Sequence, residues 1–257
     1  MSLLNLLSNG YERKARLYPA FLVILPLVVT VIATLALKID VLKAAATGLV
    51  ACGATFALAQ LARDRGYNRQ PYLFNLWGGS PSIAIFRHSN ARLDPITKAR
   101  YHQKLAALVP ETRKLPTPAS EQENPDEADR VYAAWSNFLR VSTRDTKKYD
   151  LLFAESVNYG YRRNAWGLRP LGIAFSAASL AFAIFQIYAS TRGKGIGQGD
   201  TKLTIALLFD TSALVLWVFV VKTEWVRLAA NAYADRLAEA CESLSQPDHP
   251  PSKLISS

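Results

Sequence analysis

Long apolar windows along the chain alternate with mixed stretches whose hydrophobic residues recur at helical spacing. Apolar residues fill Tyr18 to Leu37, Leu168 to Ala189 and Leu203 to Val221, each long enough to cross a hydrocarbon core of about 30 Å. A fourth window, Val41 to Ala62, is built from alanine, glycine and threonine. Counting it as a span puts the basic clusters at Arg13 to Arg16, Arg63 to Arg69, Arg162 to Arg169 and Lys222 with Arg227 on one side of the membrane; three spans would strand one of them. The pattern predicts a mainly α membrane protein: two transmembrane helical hairpins (four spans) flanking a small, mostly helical cytosolic domain, with a C-terminal cytosolic amphipathic helix.

The boundaries follow. Residues 1–17 form a cytosolic interfacial segment bearing Leu3, Leu4, Leu6 and Leu7, and 18–62 the first hairpin, with spans 18–37 and 41–62. Residues 63–167 form the cytosolic domain, 168–221 the second hairpin with spans 168–189 and 203–221, and 222–257 a helix and a disordered tail. The first apolar window is too long for a secretory signal peptide and lacks a small-x-small cleavage site. In the central domain a helix continues to Trp77 and stops at Gly78-Gly79-Ser80-Pro81, and Ser82 to Phe86 reads as a short strand or buried extended segment. Asp94 caps a helix from Pro95 to Leu108, 110–124 reads as a mobile loop, and Asn124 caps a helix whose Val131, Trp135, Phe138 and Ser142 share one face. Lys147 to Tyr161 is helical and leads to an interfacial anchor of Trp166 with its neighbouring arginines. In the tail, Tyr233, Leu237, Cys241 and Leu244 form a stripe that must pack on the central domain or on a neighbouring subunit.

Charge changes the picture little. Thirty Lys and Arg face twenty Asp and Glu, a net +10; about six of these charges fall in 63–167, where they would face the anionic head groups of a lipid bilayer. No helix carries the dense basic face interleaved with aromatics that nucleic-acid binding calls for. Walker, dinucleotide, HExxH and serine-elbow patterns are missing, and Cys52 and Cys241 have no partner at ligand spacing. The sequence therefore predicts no catalytic residue, cofactor, metal or disulfide. An enzyme acting on lipid head groups would need His88, Asp94 or Asp145 gathered at one interface.

The spans differ in kind. The first is bulky, with Pro26 marking a bend, whereas Gly48, Cys52 and Thr55 in the second and Gly172 and Ser176 in the third form small-residue stripes for close helix packing. Asp210 lies well inside the last span and must be protonated, paired or wetted. Either Lys43 bridges to it, or Asp210, Thr211 and Ser212 line a water-filled cation path. Arg87, His88, Arg144, Lys147 and Lys148 can jointly hold a phosphate-bearing small ligand; the alternative is a solvated helix end with domain-stabilising ion pairs.

The runs Trp77-Gly78-Gly79-Ser80-Pro81, Arg87-His88, Thr143 to Lys148 and Tyr159 to Asn164 resemble a family of uncharacterised bacterial four-span inner-membrane proteins, over residues 62–170. The layout of several spans with a small cytosolic sensor is similar to antiphage membrane effectors. The resemblance implies the bacterial inner membrane and brings no catalytic residue. Two functions are expected to compete. One is a homo-oligomeric ion channel or membrane-perturbing effector, gated by a ligand or partner bound to the cytosolic domain. The other is a non-catalytic scaffold holding a cytosolic protein at the membrane.

Overall fold

The computed structural model describes residues 10–34, 41–109, 112, 115–191 and 201–244, with side-chain surroundings for these outside 41–52 and 190–191. The helices are α1 (Gly10–Thr34), α2 (Val41–Asn68), α3 (Gln70–Trp77), α4 (Pro81–Ala84), α5 (Pro95–Leu108), α6 (Pro118–Glu123), α7 (Pro125–Ser142) and α8 (Asp150–Thr191). They are followed by α9 (Thr201–Val220) and α10 (Thr223–Glu239). No strand occurs among the described residues. Three helices are long and apolar enough to cross a membrane: Gly10–Thr34, Asp150–Ala189 and Thr201–Val220. The chain divides into two compact units, Met1–Leu73 with Val157–Ala229 and Phe74–Ser156 with Ala230–Ser257. The expected leucine segment before Gly10 and the tail beyond Leu244 lie outside the described residues.

In the first unit α1 packs against both α9 and α2. Helix α2 meets α8 where both carry glycine: a Cβ on Gly167 would stand 2.8 Å from the Gly66 backbone nitrogen, and one on Gly66 would stand 2.4 Å from Asn164 Oδ1. Backbones this close tolerate no side chain between them. Helix α8 meets α9 at Gly172, where a Cβ would fall 2.3 Å from the buried indole of Trp217. The four helices thus close into a ring in the order α1, α2, α8, α9. At the α9 end the hydrogen bonding widens to π-helical over Leu216–Val220. Arg169 caps this stretch, donating from Nε to the Trp217 carbonyl at 3.0 Å and from Nη2 to that of Val218 at 3.1 Å.

The second unit is built on caps that the sequence announces. Helix α3 ends in a Schellman motif: Gly78 and Gly79 take φ of +76° and +129°, and Gly79 N–H reaches the Phe74 carbonyl at 2.8 Å. Asp94 accepts from Thr97 N–H at 2.9 Å and Asn124 from Glu127 N–H at 3.3 Å, one N-cap each. The expected strand at Ser82 to Phe86 is instead the helical turn α4 and its exit. Pro81 fixes a helical φ at N1, and the Ser80 carbonyl accepts from Ile83 and Ala84. Part of the expected loop 110–124 is helix α6, started by a capping box between Thr117 and Ser120. The buried face of α7 is Ala128, Tyr132, Trp135 and Leu139, with Val131 and Phe138 half-buried beside it. The stripe is rotated from the expected one because the Tyr132 hydroxyl finds Glu121 at 2.7 Å and can be buried whole. Tail residues Ala234, Leu237, Ala238 and Cys241 enter the same core as Tyr101, Leu105 and Trp135. Of the two expected positions for the tail, packing on the central segment is the one observed. Burial pushes the Cys241 thiol up to about 11.

The α2–α8 crossing generates a prediction. Gly167→Ala is expected to lower unfolding stability by roughly 1–3 kcal/mol, because backbone cannot yield as a side chain does. Gly10→Ala, with nothing within 4 Å of its added Cβ, should stay within about 0.5 kcal/mol. Thermal unfolding of both variants in detergent measures the difference.

Candidate functional site

Asp210 is fully buried on the face of α9 that meets α1. Thr30, also buried, donates from Oγ1 to Asp210 Oδ2 at 2.6 Å, and Asp210 Oδ1 has no partner among the described residues. Thr30 was not foreseen as this partner, although it is the single hydroxyl within the aliphatic run Val28 to Ile32. The side chain of the anticipated partner, Lys43, lies outside the described residues, as do those of Gly48 and Cys52. Thr211 and Ser212 are exposed rather than beside Asp210. Their hydroxyls donate to the Leu207 and Leu208 carbonyls one turn back, both at 2.8 Å.

Helix register places more oxygen at this depth. Contacts of α8 pair Arg169 with Trp217 and Val218 and Gly172 with Trp217 on α9, and Arg162 with Trp225 at the start of α10. Rising numbers meet falling ones, so the helices are antiparallel. Continuing two turns brings Ser176 and Ser179 level with Asp210. Contacts of α8 pair Asn164 and Gly167 with Gly66 on α2 and Arg163 with Gln70 at the start of α3, and the same continuation along α2 brings Thr55 to that level. All four hydroxyl residues are buried, and the Ser176 and Ser179 hydroxyls lack a hydrogen-bond partner among the described residues. Each helix of the ring therefore contributes an oxygen-bearing side chain to one layer.

The basic candidates of the second unit do not converge. Arg87 forms a two-pronged ion pair with Asp129, at 2.8 and 2.5 Å, and its third nitrogen donates to the Gly78 carbonyl at 2.6 Å. The Asp129 hydrogen bond holds its guanidinium above the ordinary range against the opposing effect of burial. His88 Nε2 meets the Pro116 carbonyl at 2.8 Å, and the His88 amide donates to Glu121. Arg144, Lys147 and Lys148 are exposed on the turn before α8, where Asp145 accepts from the amides of Lys147 and Lys148. A cavity of about 70 Å³, lined in part by Leu115, Pro116, Ser120 and Val131, touches none of the five and holds no more than a few waters. Asp94 and Asp145, the other candidates for head-group chemistry, serve as caps.

Arg87 and His88 instead belong to a buried network that fixes the chain between α4 and α5. Lys98 Nζ donates to the carbonyls of Arg87 and Asn90, His102 Nε2 to that of Phe86 at 2.8 Å, and Glu121 accepts from the amides of His88 and Ser89. A carbonyl only accepts, so Nε2 of His102 carries a proton. Burial takes its pKa down to about 4. Burial opposes ionisation of Glu121 too, but the His88 amide and the Tyr132 hydroxyl among its donors outweigh it and hold the carboxyl below its usual value.

At the basic ends of α2, α8 and α9, aromatic rings lie under cations. Tyr72 stacks on Trp166 with centroids 6.1 Å apart, Arg69 stands 5.9 Å from the Trp166 ring and Arg162 5.0 Å from that of Trp225. Such rings with basic residues suit a head-group boundary. Compared with protein-family models, curated proteins and solved structures, the chain matches none.

The network predicts acid sensitivity. With its folded value near 4 and an ordinary value near 6.5, His102 takes up a proton more readily unfolded than folded. Its contribution is intact above pH 6.5 and declines as pH falls to 4, by about 3 kcal/mol in all. Glu121, depressed in the folded state, loses its contribution in the same direction. Unfolding midpoints followed by tryptophan fluorescence should fall steadily between pH 7 and 4, and His102→Gln should flatten that slope.

Proposed function

We propose that the protein is a four-span channel or membrane-perturbing effector of the bacterial inner membrane, assembled from several copies, with antiphage defence as its setting. The observation that carries this reading is the outward face of α9. Thr211 and Ser212 are exposed there in mid-span, on a helix whose buried face already carries Asp210. Hydroxyls facing lipid add nothing to packing, whereas between copies they supply polar contacts or a wetted wall. Helix α2, 28 residues and about 42 Å long at 1.5 Å per residue, has the length of a fourth span. Arg163 of α8 reaches Gln70 just past the end of α2, and Arg162 reaches Trp225 just past the end of α9, which supports a shared cytosolic side for these basic stretches. Gating would enter through the exposed Arg144, Lys147 and Lys148, which suit a phosphate-bearing ligand or anionic head groups.

Two measurements test this reading. Thr211→Cys should cross-link between copies in vesicles, and the full chain should pass current in planar bilayers, lowered at least several-fold by Thr211→Val with Ser212→Ala. Absence of both cross-link and current overturns it.

A second reading, a membrane scaffold, is favoured by the apolar residues that the second unit leaves in the open: Ile96 at 80%, Leu151 at 59% and Val141 at 50% exposure. These would receive a cytosolic protein. Ile96→Lys with Val141→Lys should then abolish co-purification of a soluble partner while leaving the unfolding midpoint unchanged; retention of the partner excludes this surface.

A further inference from the structure

Water is scarce inside a bundle of apolar helices, so each buried side-chain oxygen there needs a partner within the protein or a bound guest. Three other hydroxyls in the spans find one on the backbone: Thr34 donates to the Thr30 carbonyl, Thr211 to that of Leu207 and Ser212 to that of Leu208. The layer at Asp210 behaves differently. Among the described residues, Ser176 and Ser179, at 0% and 1% exposure, find no partner for their hydroxyls, and neither does Asp210 Oδ1, although Thr30 satisfies Oδ2. Three unsatisfied oxygens at one depth, on two antiparallel helices that touch at Gly172 and Trp217, are costly as an accident. Each unmet buried group forfeits its hydration with nothing in return. Within a few residues of Thr30 and Asp210 along α1 and α9, Ala33, Leu203 and Ala206 form an apolar cluster with Val29 and with Ile187 of α8.

We propose that Asp210, Thr30, Ser176 and Ser179 form an intramembrane site for one small monovalent cation, a proton or a sodium ion, taken up with bound water. The chemistry is that of a hard site: one carboxylate supplies the charge and neutral hydroxyls supply the remaining oxygens. A proton would sit on Oδ1 and donate through water to a serine hydroxyl; a sodium ion would bridge Oδ1 and the two serines directly. Thr30 sets the geometry in both cases, because its hydrogen bond turns the second carboxylate oxygen toward α1 and leaves the first free. The site lies within one copy of the chain, so it stands or falls apart from the assembly argued above.

A hydrophobic carbodiimide tests the proposal, since it reacts with a protonated carboxyl in an apolar setting and leaves a mass tag. The full chain in vesicles of phosphatidylethanolamine and phosphatidylglycerol is labelled from pH 5 to 9, in sodium chloride or in choline chloride of equal strength. The tag is located by peptide mass spectrometry. The expected result is a tag on Asp210, absent in Asp210→Asn, whose yield falls at least tenfold as pH rises. Protection by sodium at fixed pH identifies the metal ion as occupant; dependence on pH alone identifies the proton. Thr30→Val, which removes the donor that favours the charged carboxylate, should raise the yield several-fold at neutral pH, and Ser179→Ala should weaken sodium protection or shift the pH profile. No tag on Asp210 at any pH, a yield indifferent to both pH and sodium, or variants that leave the profile unmoved would each overturn the site.

Discussion

A polar atom inside a bundle of apolar helices has few destinations, and most of the first unit can be read from where each one goes. The backbone closes its own hydrogen bonds by being helical. Thr211 and Ser212 return theirs to carbonyls one turn back. Arg169 spends its charge on two carbonyls at the widened turn of α9, so a basic side chain becomes the cap of a helix end. Thr30 meets Asp210. Once these are placed, the remaining oxygens of Ser176, Ser179 and Asp210 stand out as a group, and their common depth follows from the register that the glycine contacts fix.

The second unit meets the same constraint in another way. The chain between α4 and α5 has no regular partner for its carbonyls and amides, and Lys98, His102 and Glu121 supply partners from three directions. An unpaired group in this setting would cost the full desolvation of a buried dipole. The network also explains why aromatic rings crowd there. His102 lies 5.0 Å from the rings of both His88 and Trp135, and Trp135 ties its indole N–H to Thr112 at 2.7 Å. Polar specification and aromatic burial are here one device, which leaves Arg87 and His88 no freedom to grip a ligand.

Features governed by a few adjacent residues were legible in the sequence. Asp94 with Pro95, Asn124 with Pro125 and the Gly78-Gly79 stop are local instructions, and the helices obey them. The apolar windows are equally local, and three are long helices of the required hydropathy. What was not legible depends on residues far apart. Ser82 to Phe86 reads as extended, but a proline at N1 and the Ser80 carbonyl, which accepts from Ile83 and Ala84, make the turn helical. Asp210 announced that it needed a partner, and the sequence offered Lys43 by position along the chain. The Lys43 side chain lies outside the described residues, and that Thr30 bonds Asp210 depends on how α1 and α9 pack, which no spacing encodes.

The small residues show the same division between what is announced and what must be seen. A stripe of glycine and serine says that something comes close, without saying what. At Gly66 and Gly167 the answer is backbone, at Gly172 it is the face of Trp217, and at Ser176 and Ser179 no described side chain arrives at the hydroxyls. Glycine would have served the last two positions equally if close approach were the whole requirement. Serine keeps the small volume and adds an oxygen, and beside an intramembrane carboxylate that oxygen is the difference between a packing stripe and a coordinating wall.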